Sequence, residues 1–483
     1  MNTEGAAGQP ALPAAPLRIY VNRNLRMDSI RAIGFDMDYT LARYRRQHIE
    51  TLAHRLTLEK LVQRGYPAEI ANFVYDPQFV IRGLTVDKQL GNILKLDRHN
   101  HVGRVCHGRR RLSQSERRAV YRREKMRFVP PRFALADTLF ALPEMCVYAS
   151  LIDFFESRNL SEVPTQKLFD DTRECIDEAH RDGTLKSVIR ADLSAYIDRD
   201  PLLPRTLHKL RSSGKKLFLL TNSAWDYTDA VMSHLLHEES TEYTHWQGYF
   251  EAVIVEASKP SFFTGHQPLL GLDGTPVYRL ERGAVYKQGN LKDMEHALSI
   301  YGEEILYVGD HIYGDILRSK KTSLWRTALI VEELEDEIQT TLTHERTVQR
   351  LAELERQRQH LDNTLNLNRQ VMASLEKELP GGSKNPPFAQ AKAERDQAKA
   401  TLRGVLEEME RLEQSVSEAF NPLWGMVFKE DRENSRFGEQ VVDYACVYTS
   451  RVSNFLHYST YQYFRSPRDL MPHEREAPTP HVS

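Results

Sequence analysis

Two aspartates, Asp36 and Asp38, sit in the segment GFDMDYTLARY directly after the apolar Ile33–Phe35. Residues two apart on an extended chain point the same way, so these carboxylates can share one small volume. Crowded carboxylates repel unless a cation or a shared proton joins them. A hard divalent ion such as Mg2+ suits one or two carboxylates together with phosphate oxygens and water. Asp310 and Asp315, in YVGDHIYGD, supply further carboxylates, and Lys259, in EASKP, supplies a fixed positive charge. Lys287, in VYKQG, also follows apolar residues, and spacing alone does not choose between the two lysines. Thr221, Asn222 and Ser223, in LLTNS, offer neutral hydrogen-bond donors. These are the parts of a phosphoryl-transfer site. One carboxylate would attack phosphorus, and a second would protonate the leaving oxygen and then deprotonate water. Each piece alone has a plainer reading: an Asp pair or TNS as a helix cap or turn, a lysine before proline as surface charge. Their order along the chain, each after an apolar run, is far more specific.

The elements that must position these groups are short apolar runs. Leu217–Leu220, the FEAVIVEASKP segment, EILYVGD and TALIV read as strands separated by helical stretches. Such a pattern predicts a parallel sheet covered on both faces, with its site at the carboxyl ends of the strands. The expected architecture is an α/β core over 17–44 and 205–332, interrupted by a mainly helical cap insertion over 45–204. Beyond it, Leu351, Leu354, Leu361, Leu365, Met372, Leu375 and Leu379 recur in three- and four-residue steps, as do Ala398, Leu402, Val405, Met409, Leu412 and Val416. PGGSKNPP separates the two series, so a coiled-coil-like helical hairpin is predicted over 333–420. It would either brace its own chain or contact another subunit. An aromatic-rich helical segment, 421–474, is expected to pack on the core, and 1–16 and 475–483 read as disordered tails.

The 483 residues predict two or three domains, and a hydrophobic share of 41% is ample for a large core. With 65 Lys plus Arg against 67 Asp plus Glu, the net charge of -2 gives no general case for nucleic acid or an anionic membrane. The nine basic residues from Arg109 to Arg127 are the exception. They lack interleaved aromatics, and SQSE reads as a capping box, so a charged helix face is preferred to an effector site or a nucleic-acid site. Cys106, Cys146, Cys175 and Cys446 form no CxxC pair, which favours a reducing compartment. The N-terminal residues lack the basic and apolar regions of a signal peptide, and no run is long enough for a membrane span. A cytoplasmic protein is expected.

GFDMDYTLA, LLTNS, SKPSFF and YVGDHIYGDILRSKK resemble the haloacid dehalogenase superfamily. More narrowly, together with RIYVNRNLRM, VYDPQFVIRGL, DTLFALPE and LMPHE, they resemble the cytosolic purine 5'-nucleotidase group, which acts on IMP and GMP. The resemblance spans about Leu17 to Glu474. It implies a Rossmann-like parallel core, Mg2+ and a homo-oligomer, tetramer or dimer. Asp36 would be the nucleophile and Asp38 the acid and base, its backbone carbonyl also offered to the metal. Thr221 and Asn222, with Ser223, would bind phosphate, and Lys259 rather than Lys287 would neutralise it. Asp310 would be the metal carboxylate, with Asp315 supporting. DDTRECIDEAHRDGTLK resembles the nucleotide-recognition segment, assigning Arg173, Asp177, His180 and Lys186 to the nucleoside, and Phe140 would pack on the base. Arg127, Tyr313 and Lys321 match an effector site, although Asp137 stands there in place of a neutral amide and would repel a polyphosphate. Phosphotransfer to an acceptor nucleoside would use the same residues. Two other functions stay open at this point: hydrolysis of another ester such as a sugar phosphate, and an interaction protein organised by the hairpin.

Overall fold

The computed structural model describes residues 12–121, 128, 130–160, 163–236, 242–311, 323–378, 386–468, 471 and 474. Two compact units emerge: residues 1–335 with 427–483, and residues 336–426.

The first unit is built on a nine-stranded sheet. Its centre is four parallel strands: β1 (Ala32–Phe35), β2 (Lys216–Leu220), β3 (Ala252–Val255) and β4 (Ile305–Gly309), in the order β4-β1-β2-β3. Every residue of β1, β3 and β4 is buried, and only Lys216 of β2 reaches partly into solvent. Strands buried on both faces need continuous apolar runs rather than alternation, which is why these segments were legible as parallel strands. The parallel α/β core expected from the sequence is the one observed.

The insertion differs in detail from its expected helical character. Helices α1 (Arg46–Gln63), α2 (Leu142–Ser157), α3 (Thr165–Arg181) and α4 (Thr184–Ala191) are accompanied by a five-stranded antiparallel sheet. Its strands run in the order Arg110–Arg111, Val102–His107, Asn92–Leu96, Leu84–Asp87 and Phe133–Ala136. The sheet is hard to read because its central strands bury polar residues. The Asp87 carboxylate accepts two hydrogen bonds from Arg132 (2.9 and 2.8 Å) and one from Tyr121 (3.1 Å), and Lys95 donates to the Lys429 carbonyl (2.6 Å). A paired, bonded polar side chain can be buried at tolerable cost, but its partner is invisible in a local window.

The basic segment is therefore partly strand, and its helix covers Gln114–Tyr121. The capping box is real: Ser113 Oγ accepts from Glu116 N–H (3.3 Å), and Glu116 Oε2 accepts from Ser113 N–H (2.7 Å). Arg109 reaches Asp76 (2.9 Å) and Arg110 reaches Glu116 (3.0 Å). Arg122, Arg123, Lys125 and Arg127 lie outside the described residues. The C-terminal segment is less helical than expected: after the helix Arg436–Tyr444, Val447–Thr449 enters the main sheet beside Arg326–Ile330. This strand is paired on its other side by Tyr20–Val21, and its β-branched Val447 and Thr449 are buried, as suits a strand inside a sheet.

The second unit contains the helices Glu345–Glu378 and Pro386–Phe420. They run antiparallel, since Arg350 pairs with Glu408 (2.9 Å) while Arg395 reaches the Met372 sulfur (3.7 Å). Leu354, Val405 and Met409 form its buried seam, flanked by Leu351, Leu361 and Leu412. Leu365, Ala391, Ala398 and Val416 are buried along the same two helices. Leu354→Ala is expected to cost this unit about 2–5 kcal/mol. Hydrogen exchange should quicken along both helices; unchanged protection would mean that the seam does not stabilise the hairpin.

Candidate active site

The parallel strands end together. Phe35 of β1 is in register with Val308 of β4 and Leu219 of β2, and Leu220 is in register with Ile254 of β3. The next residues on each chain are thereby brought to one edge of the sheet: Asp36, Asp310, Thr221–Ser223 and the loop carrying Lys259. Asp36 N–H still donates to the Val308 carbonyl (2.9 Å), so the nucleophile candidate is fixed by the sheet ladder itself.

Beyond Asp36 the chain turns sharply. The Met37 carbonyl accepts from the N–H groups of Thr40, Leu41 and Ala42 (3.2, 3.0 and 2.9 Å), and Tyr39 takes a left-handed φ of 54°. That conformation is costly for a bulky residue and marks an over-determined turn. It returns the chain so that Tyr44 Oη donates to Asp38 Oδ1 (2.5 Å), while Ser223 Oγ donates to Asp38 Oδ2 (2.8 Å). Tyr44 also shares a hydrogen bond with Tyr227 (2.8 Å). The two aspartates thus have separate partners, because Asp36 Oδ1 accepts from Met37 N–H (2.7 Å) and faces Lys259 Nζ (2.7 Å). Asp36 is 9% exposed, and the ammonium beside it makes that burial tolerable.

The two lysines left open by spacing differ in their environment. The Lys259 side chain is buried against Asp36, whereas Lys287 Nζ donates to the Leu272 carbonyl (3.3 Å) at a partly exposed position. Thr221 is fully buried, and its Oγ1 accepts from Ser223 N–H (3.1 Å). Asn222 bonds the Lys259 backbone in both directions.

Asp36 and Asp310 are the residues that could hold a hard cation. The carboxylates of Asp36 and Asp310 (4% exposed) belong to adjacent strand ends. Among the described residues no group of three or more His, Cys, Asp or Glu side chains could hold a metal ion. A closed protein cage is thus not formed by the described residues, and two carboxylates are the oxygen donors that suit a hard divalent cation rather than a soft one. Asp315 lies outside the described residues, as do Tyr313 and Lys321. Asp137, the acidic departure noted above, is buried and faces His311 Nε2 (3.2 Å).

A cavity of about 670 Å³ opens over this edge, a size suited to a small organic molecule. Asp38, Asn222, Ser223, Phe140, His180 and Lys186 line it, together with Tyr44 and Tyr227, which sequence reasoning missed. Phe140 meets the His180 ring edge-to-face (5.2 Å). Lys186 Nζ donates to Ser223 Oγ (3.1 Å), linking α4 of the insertion to the core. Arg190 of α4 pairs with Asp226 beside it. Arg173 and Asp177 do not line the cavity: Arg173 pairs with Glu144 of α2 (2.8 Å), and Asp177 is exposed. Burial pushes the Glu144 carboxyl up to about 7, against the opposing pull of Arg173.

Burial, assisted by the charge of Lys186 and opposed by that of Asp38, lowers the His180 pKa to about 4 from its ordinary 6.5. The ring is neutral at pH 7, with one nitrogen donating and one accepting. The folded value lies below the unfolded one, so this contribution to stability is complete above about 6.5 and is lost as pH falls towards 4. NMR of labelled histidine should find the His180 ring neutral at pH 5. A midpoint near 6.5 would contradict the burial. His54, also lowered to about 4 by burial, acts in the same sense, so His180→Gln is needed to isolate the His180 share.

Comparison with known proteins agrees with this geometry. The model of the 5' nucleotidase family matches residues 19–476. A 5'-nucleotidase domain-containing protein of Dictyostelium discoideum is 30% identical over 478 residues, covering 95% of this chain and 75% of that protein. Among solved structures, a "predicted phosphoglycolate phosphatase" from Haemophilus somnus 129pt aligns at 11% identity and a TM-score of 0.29, covering 63% of this chain and 86% of that one. CbbY from Rhodobacter sphaeroides, in complex with phosphate, aligns at 13% identity and a TM-score of 0.24, covering 62% and 86%. Those scores are too low to bear on the fold, which rests on the strand order above. No helix among the described residues is long and apolar enough to cross a membrane. The family match over nearly the whole chain and the relative matched over three quarters of its own length agree with the resemblance read from the motifs: the chain belongs to the 5' nucleotidase family and is a phosphoric monoester hydrolase.

Proposed function

We propose that the chain is a Mg2+-dependent 5'-nucleotidase that hydrolyses purine nucleoside 5'-monophosphates of the IMP and GMP type. One observation carries this reading. The pair Asp36–Lys259 adjoins Asp310 at the strand ends, and Asp38 leads from that edge to a cavity walled by Phe140 and a neutral His180. An aromatic face and an imidazole that both donates and accepts suit a purine with polar edges.

In this mechanism an Asp36 carboxylate oxygen bonds to phosphorus as the ester P–O bond breaks. The departing 5' oxygen takes a proton from Asp38, and the phosphoryl group rests on Asp36. Water then bonds to phosphorus while Asp38 takes its proton, the P–O bond to Asp36 breaks, and phosphate leaves. Lys259 offsets the phosphate's negative charge so that an anionic carboxylate can approach. Mg2+, held by Asp36 and Asp310 with the Asp38 carbonyl, would supply further positive charge against the phosphate oxygens. A homo-oligomer is what the family resemblance implies, and the cytoplasmic location is what the composition and cysteine usage imply.

The test is phosphate release from IMP, GMP, AMP, CMP and glucose 6-phosphate, with and without Mg2+. Mg2+-dependent release that favours IMP or GMP is expected. Release from the sugar phosphate alone would keep the chemistry and overturn the substrate.

A further inference from the structure

Lys259 is held at both ends, and neither holder needs to touch substrate. At the backbone, Asn222 Nδ2 donates to the Lys259 carbonyl (2.9 Å), and Asn222 Oδ1 accepts from Lys259 N–H (2.6 Å). This is the two-bond pairing of neighbouring strands, made here by one side chain between the loops that follow β2 and β3. At the other end, Lys259 Nζ donates to Tyr307 Oη (3.1 Å) beside Asp36, and Tyr307 Oη donates to the Leu220 carbonyl (3.4 Å). Tyr307 lies in β4, fully buried, with its ring against Phe263 and Trp325 (5.7 and 5.9 Å).

A lysine has a flexible four-carbon stem, and a free one gives up rotamer entropy when fixed. Anchoring its backbone and its amine in advance turns it into a stationary charge. The motif reading gives Asn222 to the phosphate. In the structure one of its donors and its acceptor oxygen are already engaged by Lys259. We propose that Asn222 and Tyr307 are positioning residues that act through Lys259, and that the Asn222 side chain is not itself a phosphate ligand. This rests on the reading of Lys259 as the residue that neutralises the phosphate.

The test is a pair of double-mutant cycles on kcat and KM for IMP, with inorganic phosphate titrated by calorimetry in the presence of Mg2+. Asn222→Ala and Tyr307→Phe are each expected to lower kcat about 10- to 100-fold, as a misplaced catalytic group does. In a Lys259→Met background each should change kcat and phosphate affinity by less than about twofold, because the group they act through is gone. If Asn222→Ala keeps its full factor in that background, it binds phosphate directly and the proposal falls. If Tyr307→Phe does so, its half of the proposal falls. Turnover and phosphate binding are both read, so a background too weak in one is measured in the other. Tyr307→Phe removes a single oxygen and carries the cycle if Asn222→Ala does not fold. Lys259→Met with undiminished turnover would overturn the reading of the site itself, an outcome distinct from additivity.

Discussion

Asp36→Asn should abolish phosphate release from every substrate, by a factor on the order of 10^4 or more, as removal of a covalent nucleophile does. The substitution is nearly isosteric. The amide that replaces the carboxylate keeps an oxygen to accept from Met37 N–H, and the backbone N–H at this position still bonds the Val308 carbonyl, so the strand end is retained. The amide oxygen, however, carries no formal charge to attack phosphorus. The change also removes the counter-charge of a buried lysine, but Lys259 keeps Tyr307 Oη as an acceptor. The accompanying loss of stability should therefore be modest, about 1–3 kcal/mol. Activity and thermal unfolding measured on the same preparation separate the two effects. A folded Asp36→Asn variant that retains a tenth of wild-type turnover would exclude Asp36 as the nucleophile.

Much of this edge was legible because parallel α/β sheets make a simple pattern: an apolar run, then a polar residue. Asp36, Thr221 and Asp310 each stand directly after such a run, and the structure puts all three runs side by side. Other features escaped for definite physical reasons. Tyr307 reads as a core aromatic, and its ring is one; its contact with Lys259, 48 residues earlier in the chain, is not visible in a local window. Tyr44 looks like any tyrosine after a turn, and its role depends on a left-handed Tyr39 that no composition rule foretells. Arg173 shares α3 with Asp177 and His180, so helical spacing groups the three. Spacing cannot see Glu144 on α2, which takes the arginine, nor can it see which part of α3 the cavity reaches. The sheet of the insertion was hidden by the same effect, since Asp87 and Lys95 are buried among partners distant in sequence.

Gly34→Ala should cost both stability and turnover, and the reason lies in the cross-section of the sheet. Gly34 is central in β1, in register with Phe218 on β2 and Tyr307 on β4. A Cβ there would stand 2.3 Å from Phe218 Cε2 and Cζ and 2.9 Å from Tyr307 Cδ2, closer than carbon atoms approach. Neither ring can swing away into solvent, because both are fully buried and both pack on Trp325 at 5.9 Å. The strain must move backbone, and overpacking of this kind costs about 1–3 kcal/mol. Two displacements reach the site. Asp36 is two residues further on, directly after the end of β1, and Tyr307 is the acceptor for the Lys259 amine. A shift approaching 1 Å at either one lowers kcat about 100-fold. Gly34→Ala should therefore unfold at a lower temperature and turn over more slowly, with KM less affected because the cavity wall at Phe140 and His180 belongs to other elements. Adding Phe218→Leu removes the ring atoms nearest the new methyl group. The double variant should regain stability relative to Gly34→Ala while still lacking full activity, since the Tyr307 contact remains. A Gly34→Ala protein as stable and as active as wild type would mean that the sheet yields freely at this point, and that the missing side chain is not what sets the spacing between the nucleophile and its lysine.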